Sequence, residues 1–194
     1  MKQFFKDAKG HLMTGIGYML PLIIGASLVV AIPKLIALCF GITSLDPYAD
    51  GTGVWHIMKL IENVGWTGIG MVNTVLAGFI AYSIADKPAI GAGFIGGAVA
   101  SSTYAGFLGA VIAAFIAGYT VKWAKKHIHL PESMGSVMPL VVCPLIATGF
   151  VAIIMGVILA TPLAAINTWL VNWISSMCQN QSSQLVMAMI LGAM

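Results

Sequence analysis

Residues Gly91-Ala92-Gly93-Phe94-Ile95-Gly96 fit the G-x-G-x-x-G string that cradles the pyrophosphate of a dinucleotide. That chemistry needs a strand before the glycines, a helix after them and an acid about 20 residues on for the ribose. Here a long apolar stretch and Pro88 precede the glycines, and the next carboxylate is Glu132. The string is therefore not read as a nucleotide site. Two other uses remain open. Gly93 and Gly97 form a G-x-x-x-G pair, which lets helices approach closely in lipid. Alternatively, Gly91, Gly93, Gly96 and Gly97 mark a break of irregular backbone at membrane depth. Such backbone is tolerated only where it is buried in protein or lines a polar cavity, as in the broken helices of transporters. The break is the expectation carried forward.

The remaining reactive residue types give no catalytic constellation. Cys143-Pro144 followed by Thr148-Gly149 has the pattern of a phosphocysteine loop, but such a loop must be exposed, with free amides, and this one lies in an apolar span. His127 and His129 stand beside Lys122, Lys125 and Lys126, without a third ligand, so no metal site is expected. His11 and His56 are read as interfacial hydrogen-bonding residues. Asp86 is read as a partner for Lys87 or a helix-end residue. Cys39, Cys143 and Cys178 lack C-x-x-C spacing and are read as small packing residues. No Ser-His-Asp set, paired carboxylates or cofactor motif occurs. What remains is uncharged and polar: Asn73 and Thr74 inside an apolar span, and Ser101-Ser102-Thr103 just after the glycines. These five are the candidate substrate-binding residues, with hydrogen bonding to a neighbouring helix as the simpler reading for Asn73 and Thr74.

The elements that must position them belong to a membrane. Charged residues are 8% of the 194, against roughly 25% in soluble proteins, too few to cover a water-facing surface. All nine basic side chains are lysines, and none forms the aromatic-interleaved basic face that nucleic acid requires. His11–Ile32 is long enough for a first span, with Pro21 inside it and Pro33 just beyond; the helix is longer than one crossing, or broken. Asp46–Gly51 is turn chemistry, Val54–Asn63 an interfacial helix with Trp55 and Trp66 as anchors, and Gly65–Ala85 a second span ended by Asp86-Lys87-Pro88. Pro88–Val121 carries no charge; it is too long for one straight helix and short for two full spans with a loop. Met134–Ala160 is a further span, Pro162–Met177 is interfacial, and Leu185–Met194 begins a final, truncated one. Keeping every lysine cluster cytoplasmic puts the N-terminus inside and requires Pro88–Val121 to enter and leave the membrane. The predicted fold class is an all-α polytopic membrane protein with about four full spans, one short or re-entrant glycine-rich element and the truncated helix.

Three stretches together carry a family resemblance: His11–Ile32, Val75–Ala100 (VLAGFIAYSIADKPAIGAGFIGGAVA) and Ala105–Trp123. They resemble the membrane component, enzyme IIC, of bacterial sugar phosphotransferase systems, in the fructose and fructose-like branch. The resemblance covers most of the chain in order, and the A-Y-S-I-A-D-K-P run with its following glycines is its most specific part. It implies a permease that binds an outside sugar and carries it inward for phosphorylation by phosphorylated enzyme IIB, which is supplied through enzyme IIA. The catalytic group would be on the partner, so no catalytic residue and no cofactor is expected here. It also implies the inner membrane and a homodimer when complete. The family's G-G-P-x-N-K loop and later acidic loop are absent, so residues 1–194 are expected to be the N-terminal half of the domain. Asn73-Thr74 also departs from the family's more usual apolar-proline pair. A secondary transporter or channel without a phosphorylation step, or an inactive truncated membrane subunit, is the alternative.

Overall fold

A computed structural model describes residues 2–127 and 141–179, and among them no strand occurs. Helix α1 spans Lys2–Cys39, a 3-10 turn spans Asp46–Tyr48, and α2 spans Val54–Gly70. Helices α3 (Val72–Ala85), α4 (Lys87–Ser102) and α5 (Gly106–His127) follow. Helix α6 (Cys143–Ile153) passes through a π-helical segment, Ile154–Leu159, into α7 (Ala160–Gln179). Lys6–Cys39, Val54–Ala85 and Gly106–His127 are each long and apolar enough to cross a membrane. The pair Cys143–Leu159 and Thr161–Ser176, bent by 58°, passes the same length-and-composition test if it is one broken span. The all-α polytopic class is thus the observed one. The expected truncated helix at Leu185–Met194, the first residues of the Met134–Ala160 span and His129 lie outside the described residues.

Helix α1 is continuous through Pro21 and Pro33, not broken. Its 38 residues extend about 57 Å at 1.5 Å per residue, well beyond a hydrocarbon core of about 30 Å. It lies antiparallel along α2 and α3. Near its start, His11 Nδ1 is 2.7 Å from Ser83 Oγ and Tyr18 stacks on Phe79. Further along, Ala26 and Val30 press on Gly65 and Gly68. The boundary expected at Gly65 is absent: the helix begun at Val54 carries on to Gly70, and only a one-residue irregularity at Met71 separates it from α3. Gly65 sits in a helix because its missing side chain admits the backbone of α1. A Cβ there would lie 2.8 Å from Val30 N and 2.9 Å from Ala26 O.

The same use of glycine corrects the expectation of a glycine-rich break. Gly91, Gly93, Gly96 and Gly97 all lie within the regular helix α4. Glycine costs a helix about 1 kcal/mol relative to alanine, so tertiary contact must hold it there. A Cβ on Gly93 would lie 2.7 Å from Ala77 O, and one on Gly97 would lie 2.5 Å from Asn73 O. Gly96 faces Ala113 of α5 and Val151 of α6. Around them Ala77, Ala81, Ala89, Ala92, Ala100, Ala110, Ala113, Ala114 and Ala117 are fully buried, so small side chains line the contacts among α3, α4 and α5, with larger Leu76, Ile80, Val121, Val151 and Met155 filling the rest of the core. Packing, not conformational freedom, is what Gly93, Gly96 and Gly97 supply.

The chain breaks later, at Thr103–Gly106. Tyr104 has φ 57° and Gly106 φ 62°, and α5 then turns back along α4. The element is short, as expected: 16 residues, about 24 Å. Its far end stops beside Asn73 rather than at the Val54 end of α2. Since Gly68 meets Ala26 and Gly15 meets Leu76 and Ile80, Asn73 is level with the Pro21 region of α1, the middle of the apolar His11–Ile32 stretch. The α4–α5 hairpin therefore rises about halfway. Its base lies with the lysines: Lys125 Nζ donates to Ala85 O at 2.7 Å, close to Asp86 and Lys87.

Gly97→Ala and Gly91→Ala are expected to have opposite effects. Gly97→Ala should destabilise the protein by about 1–3 kcal/mol through overpacking. Gly91, whose added Cβ meets nothing within 4 Å, should gain up to about 1 kcal/mol from helix propensity. Thermal unfolding of the two variants in one detergent checks the pair.

Candidate functional site

The five candidate residues gather at the tip of the hairpin with unequal roles. Asn73 Nδ2 donates to Ser101 Oγ at 3.2 Å, joining α3 to α4. Thr103 Oγ1 and Ser102 Oγ donate to Val99 O at 2.7 and 3.0 Å, so both hydroxyls serve their own helix end. Thr74 is half-buried, and its backbone lies beneath Gly97. The sequence reading did not place Asn167 in this group. From α7, its Nδ2 donates to Tyr104 O at 3.0 Å, taking a carbonyl released by the turn. Nothing in its sequence neighbourhood, beside Trp169 and Trp173, marks it for this task. The tip holds uncharged donors and acceptors, a set suited to hydrogen bonding with polar groups. Among the described residues no group of three His, Cys, Asp or Glu could hold a metal ion.

At the opposite end from the lysines of α4 and α5, a charged cluster ties α1, the 3-10 turn and α2 together. Glu62 is 3% exposed and accepts from Lys34 at 3.2 Å, Lys59 at 3.2 Å and the Trp66 indole at 3.0 Å. Lys59 also pairs with Asp46, and Lys34 lies 5.3 Å above the Trp66 ring. The Lys59 ammonium, helped by the Ser44 hydroxyl, holds the Asp46 carboxyl below the usual carboxylate range. What that pairing contributes stands in full above the ordinary carboxylate pKa and is lost as pH falls through the lowered one. His56 Nδ1 is 3.1 Å from Tyr48 O, the hydrogen-bonding role read from sequence. The cluster was legible only as an interfacial helix with mixed polarity. Its convergence on Glu62 needs Lys34, 28 positions away, which only the antiparallel course of α1 supplies.

At the lysine end, a cleft of about 660 Å³ opens between the α3–α4 turn and α5. Tyr82, Asp86, Lys87, Pro88, Gly91, Lys125 and Pro144 line it. Asp86 pairs with Lys125 at 3.6 Å rather than with Lys87, and its side chain makes no helix-capping bond. His127 stacks on Trp123 and contacts the Trp123 carbonyl, the role of a surface residue.

A long antiparallel α1, a half-depth hairpin with a polar tip and a lysine-rich base define a polytopic α-helical membrane protein. The chain belongs to the family described as Phosphotransferase system, EIIC, matched over residues 13–194. It is 36% identical over 185 residues to the PTS system fructose-specific EIIABC component of Bacillus subtilis (strain 168), covering 95% of this chain and 28% of that one. It is 33% identical over 193 residues to Fructose-like permease IIC component 2 of Escherichia coli (strain K12), covering 99% and 51%. It is 34% identical over 194 residues to the PTS system 2-O-alpha-mannosyl-D-glycerate-specific EIIABC component of the same strain, covering 100% and 29%. The chain thus spans about half or less of the length of these relatives. No solved structure matches it significantly.

Removing the acceptor at the centre of the charged cluster should be costly. Glu62→Ala leaves Lys34 with no carboxylate partner and Lys59 with Asp46 alone; the expected loss is about 3 kcal/mol, as for breaking a buried ion pair. Asp46→Asn, at an exposed carboxylate, should change stability little. Chemical unfolding of both variants in the same micelle decides whether Glu62 or Asp46 carries the cluster.

Proposed function

We propose that this chain is the N-terminal part of the sugar-translocating membrane domain of a phosphotransferase system. In this reading it takes fructose or a fructose-like sugar, and the polar tip of the α4–α5 hairpin contributes to the sugar's path. The observation that carries the reading is the Asn73–Ser101 hydrogen bond at the level of the middle of α1, beside a backbone break. Polar side chains and irregular backbone at that depth are expensive in lipid and suit a cavity that a polyol crosses. The names of the relatives support the sugar class: two are described as fructose or fructose-like, and one as specific for a mannosyl-glycerate.

The rest of the arrangement follows from charge. Lysines at the starts of α1 and α4 and at the end of α5 favour a cytoplasmic face at that end, with the N-terminus inside and the bilayer being the bacterial inner membrane. That face is where phosphorylated enzyme IIB would work, itself supplied by enzyme IIA, on a homodimer of the complete domain.

The test uses the full-length protein in proteoliposomes with labelled fructose, with and without phosphorylated enzyme IIB. Phosphosugar should accumulate only with the partner. Asn73→Leu should lower uptake by about tenfold or more, the effect of losing a buried polar contact to substrate. Accumulation of free sugar would overturn the phosphotransferase reading. Unchanged uptake by a folded Asn73→Leu protein would reduce the Asn73–Ser101 pair to helix packing.

A further inference from the structure

We infer that the cleft at the lysine end is a binding site for a phosphate group, and that its natural ligand is the sugar phosphate leaving on that side. This inference rests on the phosphotransferase reading above for the ligand's identity, and on the cleft alone for its chemistry.

The cleft has the volume of a small-molecule site, within the range of about 300–1,000 Å³ usual for ligand pockets. Its donors converge from three elements. Tyr82 comes from the last turn of α3, Lys87 from the first residue of α4, and Lys125 from the last turn of α5. The Lys87 ammonium and the Tyr82 hydroxyl have no hydrogen-bond or ion-pair partner among the described residues. Lys125 is held in place by its bond to Ala85 O, and among the described residues its carboxylate partner is Asp86, at 3.6 Å. Asp86 is itself 83% exposed in its side chain, so that pairing is loose and an anion can compete for the ammonium. Among the described residues, two lysines against one solvated carboxylate leave the cleft cationic. The apolar wall comes from Pro88 and Pro144, and Gly91 leaves open space where a side chain would intrude.

The backbone adds a second reason to expect function here. Asp86 adopts φ 61° and ψ −161°, a conformation that is essentially reserved for glycine. A non-glycine residue there costs about 1–3 kcal/mol. The strain sets α4 running back from α3 after a single residue. That places Lys87 and Lys125 on either side of one opening. A turn with glycine at this position would give the same chain reversal without strain, and without a carboxylate beside Lys125.

Binding is measured by calorimetry on the full-length protein in nanodiscs of neutral phosphatidylcholine. The probes are fructose 1-phosphate, fructose 6-phosphate, inorganic phosphate and free fructose. Sugar phosphates and inorganic phosphate should bind, and Lys87→Gln should weaken both by about tenfold, the loss of one charge-assisted hydrogen bond. Among the described residues the Lys87 side chain has no hydrogen-bond or ion-pair partner to lose, which keeps that variant interpretable. Lys125→Gln should act in the same direction, and Lys122→Gln, outside the cleft, should bind as the parent does. Repeating the titration in anionic phosphatidylglycerol separates the two sources of phosphate. Loss of sugar-phosphate binding there would make a lipid headgroup the occupant and overturn the assignment to sugar phosphate. Equal binding by the parent and Lys87→Gln proteins would overturn the site. If uptake and phosphorylation proceed normally while the cleft binds nothing, only this inference fails. If phosphate binds as described but no sugar is phosphorylated, the transport reading fails and the site stands.

Discussion

Helices in lipid gain nothing by hiding apolar side chains from one another, because the lipid tails are equally apolar. They associate by close van der Waals packing, and close packing requires small residues at the contact. The structure depends on this constraint at α3, α4 and α5. Gly93 and Gly97 bring the backbone of α4 onto that of α3, and Gly96, with the buried alanines of α4 and α5, closes the other side. Helix α4 is held by these faces although glycine disfavours the helix. Because α4 is short and gripped on two sides, it can end at the level of Asn73 and leave a turn there.

That turn is where the energetics change sign. A packed, apolar hairpin ends in Ser101, Ser102, Thr103 and a strained Tyr104, none of which lipid can solvate. Three different partners take up these groups: the carbonyl of Val99, the amide of Asn73 and the amide of Asn167. The other two polar centres sit at the ends of the bundle. The Glu62 cluster fastens the far end of α1 to α2, and Lys125 fastens the α3–α4 turn to α5. Polar chemistry thus occurs at three levels, each at a place where helices begin, end or break.

Much of this was legible in the sequence. Charge scarcity and span length gave the class, and the lysine clusters required Pro88–Val121 to return to its starting side, as α4 and α5 do. Asn73 and Ser101–Thr103 stood out in the sequence because polar residues within apolar stretches are few. The break itself was misplaced. Glycine serves both flexibility and close approach, and a string of glycines does not say which. Only the faces of α3 and α5 show that Gly93, Gly96 and Gly97 are contact residues, while the irregular backbone begins at Thr103. Asn167 and the convergence on Glu62 were invisible for a related reason: each depends on a helix distant in sequence arriving at a particular height. The cleft likewise needed Lys87 and Lys125, 38 positions apart, to meet across the strained Asp86 turn.

That a glycine-packed hairpin carries a polar turn to the middle of the membrane is directly measurable. A nitroxide at Ser102 in the full-length protein, reconstituted in a bilayer, tests it through depth-dependent relaxation by oxygen and by a water-soluble nickel complex. The label is expected near the bilayer centre, about 15 Å below the headgroups, half of a core of about 30 Å. A label at headgroup level would mean that α4 crosses completely, and would contradict it.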